Sequence, residues 1–260
     1  MWLRFKSKKA EDFGIKIISV GNLTVGGSGK TPIVTALAQK QTEVAIILRG
    51  YARDSRGMQV VKVGKKIFCD VHTSGDEAMI YAHKLSDAIV IVSENRKIAI
   101  HKAKELGAKI IFLDDAYSKH DIKKLDILID VQTTNNRCLP SGAFRERAWK
   151  TKEVFVITEG KDFHRHVEVK NEQLKMSLVT AIARPQRLDK FLPEVVNKHY
   201  FADHYSFNKE ELEKILKEDM SDSLLVTYKD YVKIENFGLP LSILDLEIEL
   251  GSFYQEIIQI

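Results

Sequence analysis

Cysteine is scarce in this sequence. Among 260 residues there are two, Cys69 and Cys138, far apart and in no metal-like spacing. They offer no disulfide framework and fit a reducing cytoplasm. Long apolar runs are missing too: no stretch approaches the ~20 residues that a membrane-crossing helix needs. The first 13 residues, MWLRFKSKKAEDF, contain no apolar h-region, so a signal peptide is not expected. There is no internal repeat and no low-complexity tract. Charge of one sign is weak as well. Lys and Arg number 40 against 36 Asp and Glu, a net +4 that suits a polyphosphate or an anionic membrane surface without demanding either.

What is present is ordinary globular material, 44% hydrophobic and 29% charged, in a length that allows one large domain or two modest ones. Trp2, Leu3 and Phe5 stand among Arg4, Lys6, Lys8 and Lys9, a mixture able to touch an anionic membrane surface. A frayed polar terminus is the plainer alternative. In the first half, short β-branched runs at 15–20, 43–48, 88–92, 109–113 and 125–130 predict strands. Helical patterns near 32–40, 76–85 and 96–106 separate them. Apolar strands alternating with helices predict a parallel sheet covered on both faces. Residues 60–69, apolar on either side of Gly64, read as an inserted hairpin. A Thr-, Asn-, Arg-, Pro- and Gly-containing connection spans 131–150. Beyond it, strands are expected at 153–157, 177–182, 199–201, 224–227 and 241–246, with helices near 186–192 and 209–217. The expected architecture is α/β, a P-loop NTPase-like, mostly parallel sheet in 1–150 and a smaller α/β domain in 151–260.

The most specific segment is IISVGNLTVGGSGKT, residues 17–31. An apolar strand enters a glycine-rich loop of Thr24, Val25, Gly26, Gly27, Ser28 and Gly29, and Lys30 and Thr31 close it. Glycines let backbone N–H groups converge on phosphate oxygens, and the following helix N-terminus adds partial positive charge. Lys30 is placed to reach the β- and γ-phosphates, and the Thr31 hydroxyl to bind Mg²⁺. Pro32 suits the first turn of that helix. The general motif begins with Gly, whereas Thr24 stands there in this chain. A tight strand–helix turn with no ligand is the alternative.

Two acidic clusters follow. Residues 74–77, SGDE, precede a helical run, and Ser74 with Glu77 also makes a capping-box pattern. Residues 109–115, KIIFLDD, form an apolar strand ending in Asp114 and Asp115, at the sheet edge where the phosphate loop lies. Arg49, Gly50 and Tyr51 end another strand on that edge. Arg137, Arg145 and Arg147 in the long connection could grip anionic groups or simply be solvated. Asp203 and His204 could form an acid/base pair, a weak signal on its own.

Taken together these pieces resemble the tetraacyldisaccharide 4′-kinase (lipid A 4′-kinase) family. ISVGNLTVGGSGKTP at 18–32 is similar to its phosphate loop, Thr24 included. LRGYAR at 48–53, SGDEA at 74–78, LDDAY at 113–117 and NRCLPSGAFRE at 136–146 resemble further family motifs. AIARPQR at 181–187, FADHYSF at 201–207 and TYKDYVK at 227–233 complete an ordered series. Three differences stand out. Ala116 replaces a Gly, and Ser118, Lys119 and His120 stand where the family has Gln-His. The basic aromatic segment before the first strand is shorter than the family's hydrophobic N-terminal anchor.

The resemblance implies an ATP- and Mg²⁺-dependent kinase phosphorylating the 4′-hydroxyl of a tetraacyldisaccharide 1-phosphate. Asp76 would take the hydroxyl proton, with His204 paired to it. Lys30 and Thr31 would hold ATP and Mg²⁺, with Glu77, Asp114 and Asp115 serving the metal and its shell. Tyr51, Asn136 and Arg145 would contact the lipid disaccharide. The setting it implies is peripheral, on the cytoplasmic face of the bacterial inner membrane, with no nucleic acid and no obligate protein partner. Two other readings use the same loop: a P-loop ATPase switch recruited to a membrane or partner, and a kinase of a soluble metabolite. Val25 stands where such a switch carries Lys, and no Asn-Lys-x-Asp motif supports a GTPase.

Overall fold

The computed structural model describes residues 10–24, 29–131, 133, 135, 137–148 and 153–259. The centre of its larger sheet is built from mostly apolar runs. Strands β1 (Lys16–Gly21), β2 (Val44–Leu48), β5 (Ile89–Val92), β6 (Ile110–Asp114) and β7 (Leu125–Ile129) are buried almost end to end. Such runs need cover on both faces, which a parallel sheet between helices supplies. Helices α1 (Lys30–Gln39) and α3 (Asp76–Lys84) cover one face, and α4 (Arg96–Glu105) covers the other with Ala99, Ile100 and Ala103. The strand order is β4-β3-β5-β2-β6-β1-β7-β8. The hairpin expected at 60–69 is β3 (Gln59–Val63) and β4 (Lys66–Ile67), antiparallel at one edge. Buried Lys62 on β3 donates to the carbonyls of Ala82 and Leu85 and so caps the C-terminal end of α3.

β8 (Val154–Ile157) differs from expectation. It pairs parallel with β7 and extends the larger sheet, because its backbone finds an open edge there. The expected boundary near 150 falls at residues 149–152, outside the described residues.

The second sheet has the order β11-β10-β12-β13-β9. β10 (Met176–Thr180), β11 (Asn197–Tyr200), β12 (Ser223–Thr227) and β13 (Leu241–Leu250) run parallel. β9 (Phe163–Lys170), which no apolar run announces, lies antiparallel on β13. Its sequence, FHRHVEVK, alternates half-buried and exposed positions at a sheet edge, so hydrophobicity hardly marks it. Helix α5 (Lys209–Asp219) buries Leu212 and Ile215. The helix expected near 186–192 is a 3₁₀ segment, Pro185–Phe191, with no buried residue to extend it. Three helices were not foreseen: α2 (Val71–Ser74), α6 (Tyr228–Ile234) and α7 (Phe253–Gln259).

The seam between the sheets positions the site. α3 packs on α6 and α1 packs on β13, while Val232, Phe253 and Ile257 join the core formed by α1 and α3. No helix among the described residues is long and apolar enough to cross a membrane.

Candidate active site at the seam

The site is assembled at the C-terminal ends of β1, β2 and β6, where loops from parallel strands gather. Gly29, at φ 79, turns the chain into α1 with a left-handed conformation that a side chain would resist. Val25, Gly26, Gly27 and Ser28 lie outside the described residues. On the strand side of the loop, Thr24 is buried and bridges to Phe144. Lys30 Nζ donates to Asn22 Oδ1 at 3.0 Å and lies 3.6 Å from Asp115 Oδ1. Asn22 in turn donates to the Thr24 carbonyl at 2.7 Å and to its hydroxyl at 3.0 Å. Lys30 is therefore held by groups just beyond the ends of β1 and β6.

Asp114 and Asp115, though adjacent, are used differently. The Asp114 carboxyl is buried and accepts from Tyr81 Oη at 2.8 Å, and Tyr81 also hydrogen-bonds the side chain of Thr31. Burial raises the Asp114 pKa, with the Lys30 charge and the Tyr81 hydrogen bond pulling the other way. Asp115, at φ 52, turns outward to a two-pronged pair with Arg145, including Nη1 to Oδ2 at 3.1 Å. Burial pushes Asp115 up, but Arg145 and Lys30 outweigh it and hold it below the usual carboxylate range. Arg145 also donates to the Asn22 carbonyl at 3.2 Å, which ties the long connection to the phosphate-loop strand. Of the remaining expected residues, Asn136 lies outside the described residues. The His120 ring packs edge-on against Tyr117, 5.6 Å between centroids.

The start of α3 carries the second acidic cluster. The capping box does not form: Ser74 ends α2 and donates to the Asp70 carbonyl, and Gly75, at φ 86, is the N-cap with no side-chain bond. A Cβ on Gly75 would come 3.0 Å from the Tyr51 carbonyl oxygen, so glycine lets the loop after β2 lie directly on α3. Asp76 is 6% exposed. His204 Nδ1 lies 3.2 Å from Asp76 Oδ2, and the contact lacks hydrogen-bond angles, so this buried oxygen keeps an unused acceptor site. His204 holds a positive φ of 60, a sparsely populated conformation for a non-glycine residue. Its other face meets the exposed Tyr51 ring at 5.3 Å. Lys229 completes the group, with Nζ 3.6 Å from Asp76 Oδ2, 3.4 Å from His204 Nε2 and 3.3 Å from Asp203 Oδ1.

Two cavities flank this group. The larger, about 310 Å³, is lined by Gly29, Thr31, Glu77, Arg165, Leu188 and Lys229 among others. The smaller, about 170 Å³, is lined by Asp76, His204, Tyr205 and Lys233 among others. Glu77 is buried deeply enough that its carboxyl is pushed up to about 7, by desolvation first and then by the charges of Asp114 and Asp76.

A family model described as "LpxK: Tetraacyldisaccharide-1-P 4'-kinase" matches residues 2–259. The chain belongs to the tetraacyldisaccharide 4′-kinase family. The tetraacyldisaccharide 4'-kinase of Aliarcobacter butzleri (strain RM4018) is 49% identical over 257 residues, covering 95% of this chain and 82% of the relative. That of Helicobacter pylori (strain ATCC 700392 / 26695) is 48% identical over 252 residues, covering 95% and 80%. The Campylobacter jejuni protein (strain 81-176) is 48% identical over 243 residues, covering 92% and 79%. A crystal structure of LpxK from Aquifex aeolicus, an "apo" form in complex with ATP, has the same fold. It superimposes with a TM-score of 0.75 over 96% of this chain and 90% of that one, at 23% identity.

Kinases of this type imply a magnesium ion, and the residues here fit one. Asp114 Oδ1 is buried with no hydrogen-bond partner among the described residues, and Glu77 is held near neutrality only by desolvation and negative neighbours. A cation beside them would relieve both. Among the described residues no group of three or more His, Cys, Asp or Glu is arranged to hold a metal alone. Mg²⁺ takes one or two carboxylates and fills its shell with water and phosphate. The oxygen-bearing side chains that could hold it are those of Thr31, Glu77 and Asp114, whereas Asp115 pairs with Arg145 and Lys30.

Sequence reasoning gave no part to Asn22, Tyr81 or Lys229. Asn22 and Lys229 sit inside motifs already singled out, so their signal was present. Tyr81 looks like any core aromatic of a helix until Asp114 is seen against its hydroxyl.

Proposed function

We propose that this chain transfers the γ-phosphate of ATP to the 4′-hydroxyl of a tetraacyldisaccharide 1-phosphate. The observation that carries the reading is the pair of buried Asp76 and half-buried His204, set beside a cavity lined by Thr31 of the phosphate loop and Glu77 of α3. The nucleotide enters the larger cavity with its phosphates on Gly29, Lys30 and Thr31. The sugar hydroxyl enters the smaller one, against Asp76. Asp76 Oδ2 accepts the hydroxyl proton as the oxygen attacks phosphorus, and His204 holds the carboxylate in line and shares its charge. Lys30 steadies the terminal phosphates from the β1 side. Mg²⁺, held by Thr31, Glu77 and Asp114, supplies neutralisation of phosphate charge when bound. Positioning and electrostatics of this kind account for most of such catalysis.

Tyr51, in the loop after β2, and Arg145, in the long connection, contact the lipid disaccharide, and so does Asn136, which lies outside the described residues. Two units, one built on the larger sheet with β8 included and one on the second sheet, close on the substrates from either side. The protein works peripherally on the cytoplasmic face of the inner membrane, where its lipid acceptor lies. The test is transfer of label from γ-labelled ATP, with Mg²⁺, to a detergent-dispersed tetraacyl disaccharide 1-phosphate. Label in the lipid that disappears in Lys30→Ala and Asp76→Ala supports the reading. Persistent ATP hydrolysis with no labelled lipid sinks it.

A further inference from the structure

Lys229 has no role in the chemistry described so far, yet it is the residue best placed between the two cavities. It is the second residue of α6, and the first turn of that helix is fastened unusually well. Buried Asp230 accepts from Thr180 Oγ1 at 2.7 Å, Thr227 Oγ1 at 2.8 Å and the Ala181 amide at 3.2 Å, fixing α6 to the ends of β10 and β12. Lys229 rides on this anchored turn and reaches out of the second sheet's unit towards α3. Its ammonium contacts Asp76 and His204, which line the smaller cavity, and it lines the larger one with Gly29, Thr31 and Glu77. Lys30 stands in the chain between Gly29 and Thr31, which line the larger cavity together with Lys229, so the two lysines reach this region from different units.

We infer that Lys229 is a further catalytic residue, a cation delivered from the second unit onto the phosphoryl group as it passes from nucleotide to acceptor. The inference rests on the phosphoryl-transfer reading above. In that transfer the bond from phosphorus to the β–γ bridging oxygen breaks, the bond to the acceptor oxygen forms, and the acceptor proton goes to Asp76. Lys229 stays protonated throughout. Its contribution is to exchange carboxylate contacts with Asp76 and Asp203 for the equatorial oxygens of the moving group, where negative charge is spread in the transition state. Lys30 serves the same charge from the first unit, so full stabilisation requires both units to be in place.

Two measurements decide it. In steady state, Lys229→Met is expected to lower kcat at least ~100-fold, the scale of a lost transition-state contact, while KM for ATP and for lipid moves less than about threefold. Lys229→Arg, or added methylamine with Lys229→Ala, is expected to restore part of the rate, which repair of a merely structural contact would not do. A kcat within about threefold of the parent enzyme overturns the inference. So does a loss in Lys229→Met that tracks a lowered melting temperature and is untouched by Lys229→Arg or by amine. The second measurement needs no lipid: binding of ADP with magnesium and aluminium fluoride, a mimic of the transferring phosphoryl. The parent chain should bind this mimic more tightly than ATP, and Lys229→Met should lose that advantage while keeping its affinity for ATP. Equal tightening in both proteins overturns the role of Lys229. This arm stays decisive if the parent chain labels no lipid, an outcome that removes the acceptor reading alone.

Discussion

Asp76 and Glu77 are neighbours in sequence, but they line different cavities: Asp76 the smaller one with His204, Glu77 the larger one with Thr31. Successive residues of a helix project about 100° apart, and α3 starts at the seam, so one turn of backbone serves two chemical tasks. Gly75 makes this possible by starting the helix without a side-chain cap and by admitting the Tyr51 backbone against it. On the proposed function, the acceptor's base and the nucleotide's metal side are thereby held at a fixed separation by covalent geometry.

Asp76→Asn keeps the shape of the side chain and removes its basicity. Turnover is expected to fall about 10²–10⁴-fold, the usual range for a general base. ATP affinity, read by calorimetry on the same protein, is expected to stay within a factor of a few. Intact turnover would remove Asp76 from the mechanism.

Asp114 and Asp115 offer a paired test of the cation site. Asp114→Asn removes charge from a buried carboxyl whose Oδ1 has no hydrogen-bond partner among the described residues and whose Oδ2 accepts from Tyr81. Asp115→Asn mainly weakens a pair with Arg145. The Mg²⁺ concentration for half-maximal activity is expected to rise about tenfold or more in Asp114→Asn, the order of effect seen when metal-site partners are lost. In Asp115→Asn it should move little. The opposite ranking would transfer the metal-binding role to Asp115.

Much of this was legible before any coordinates. The all-apolar strands β2 and β5 leave no choice but a covered parallel sheet, and the glycines before Lys30 mark a phosphate loop by type and order. What stayed hidden depends on pairing across long sequence distances. β9 alternates polar and half-buried residues because only one of its faces meets the fold, and β8 joined the larger sheet because an open strand edge was there to receive it. Lys229 lies 153 positions after Asp76, and nothing local to TYKDYVK says which carboxylate its ammonium will meet. The split between Asp114 and Asp115 is likewise a product of Tyr81 and Arg145, residues contributed by α3 and by the long connection.

Glu77 carries a pH signature. Its carboxyl is pushed up to about 7 in the folded chain from an ordinary value of 4.5. A raised folded pKa means the native state holds its proton where the unfolded chain has released it. The stability this contributes is fully present below about 4.5 and is lost as pH rises towards about 7. With metal chelated away, the melting temperature of the parent chain relative to Glu77→Gln is expected to fall across that window. Saturating Mg²⁺ and nucleotide should flatten the difference, because a cation beside the carboxylate takes the proton's place. A parent-minus-variant difference that stays level with pH would mean that Glu77 is already ionised without metal.

The two units are also joined by charge at the far end of α3. Asp245 on β13 is 1% exposed and pairs with Lys84 at the last residue of α3 and with Lys170 on β9, the latter at 2.7 Å. Lys84 also lies over the Tyr228 ring, 4.6 Å from its centroid, beside the first turn of α6. Asp245→Ala leaves Lys84 poorly solvated and unpaired, and breaking one side of a buried pair costs about 3–5 kcal/mol. Partial exposure of the lysines reduces that here, to roughly 2–4 kcal/mol in chemical unfolding. Lys84→Met should cost less, since Lys170 still neutralises Asp245 and the methionine stem can keep the contact with Tyr228. The same pair of variants separates stability from function. If α3 is held at both ends, loosening its Lys84 end should weaken the hold on Asp76 at the other, so Asp245→Ala should lower kcat even at temperatures where it is fully folded. An unchanged kcat in the folded variant would mean that Gly75 and the α6 contact fix the Asp76 end of α3 without help from Asp245.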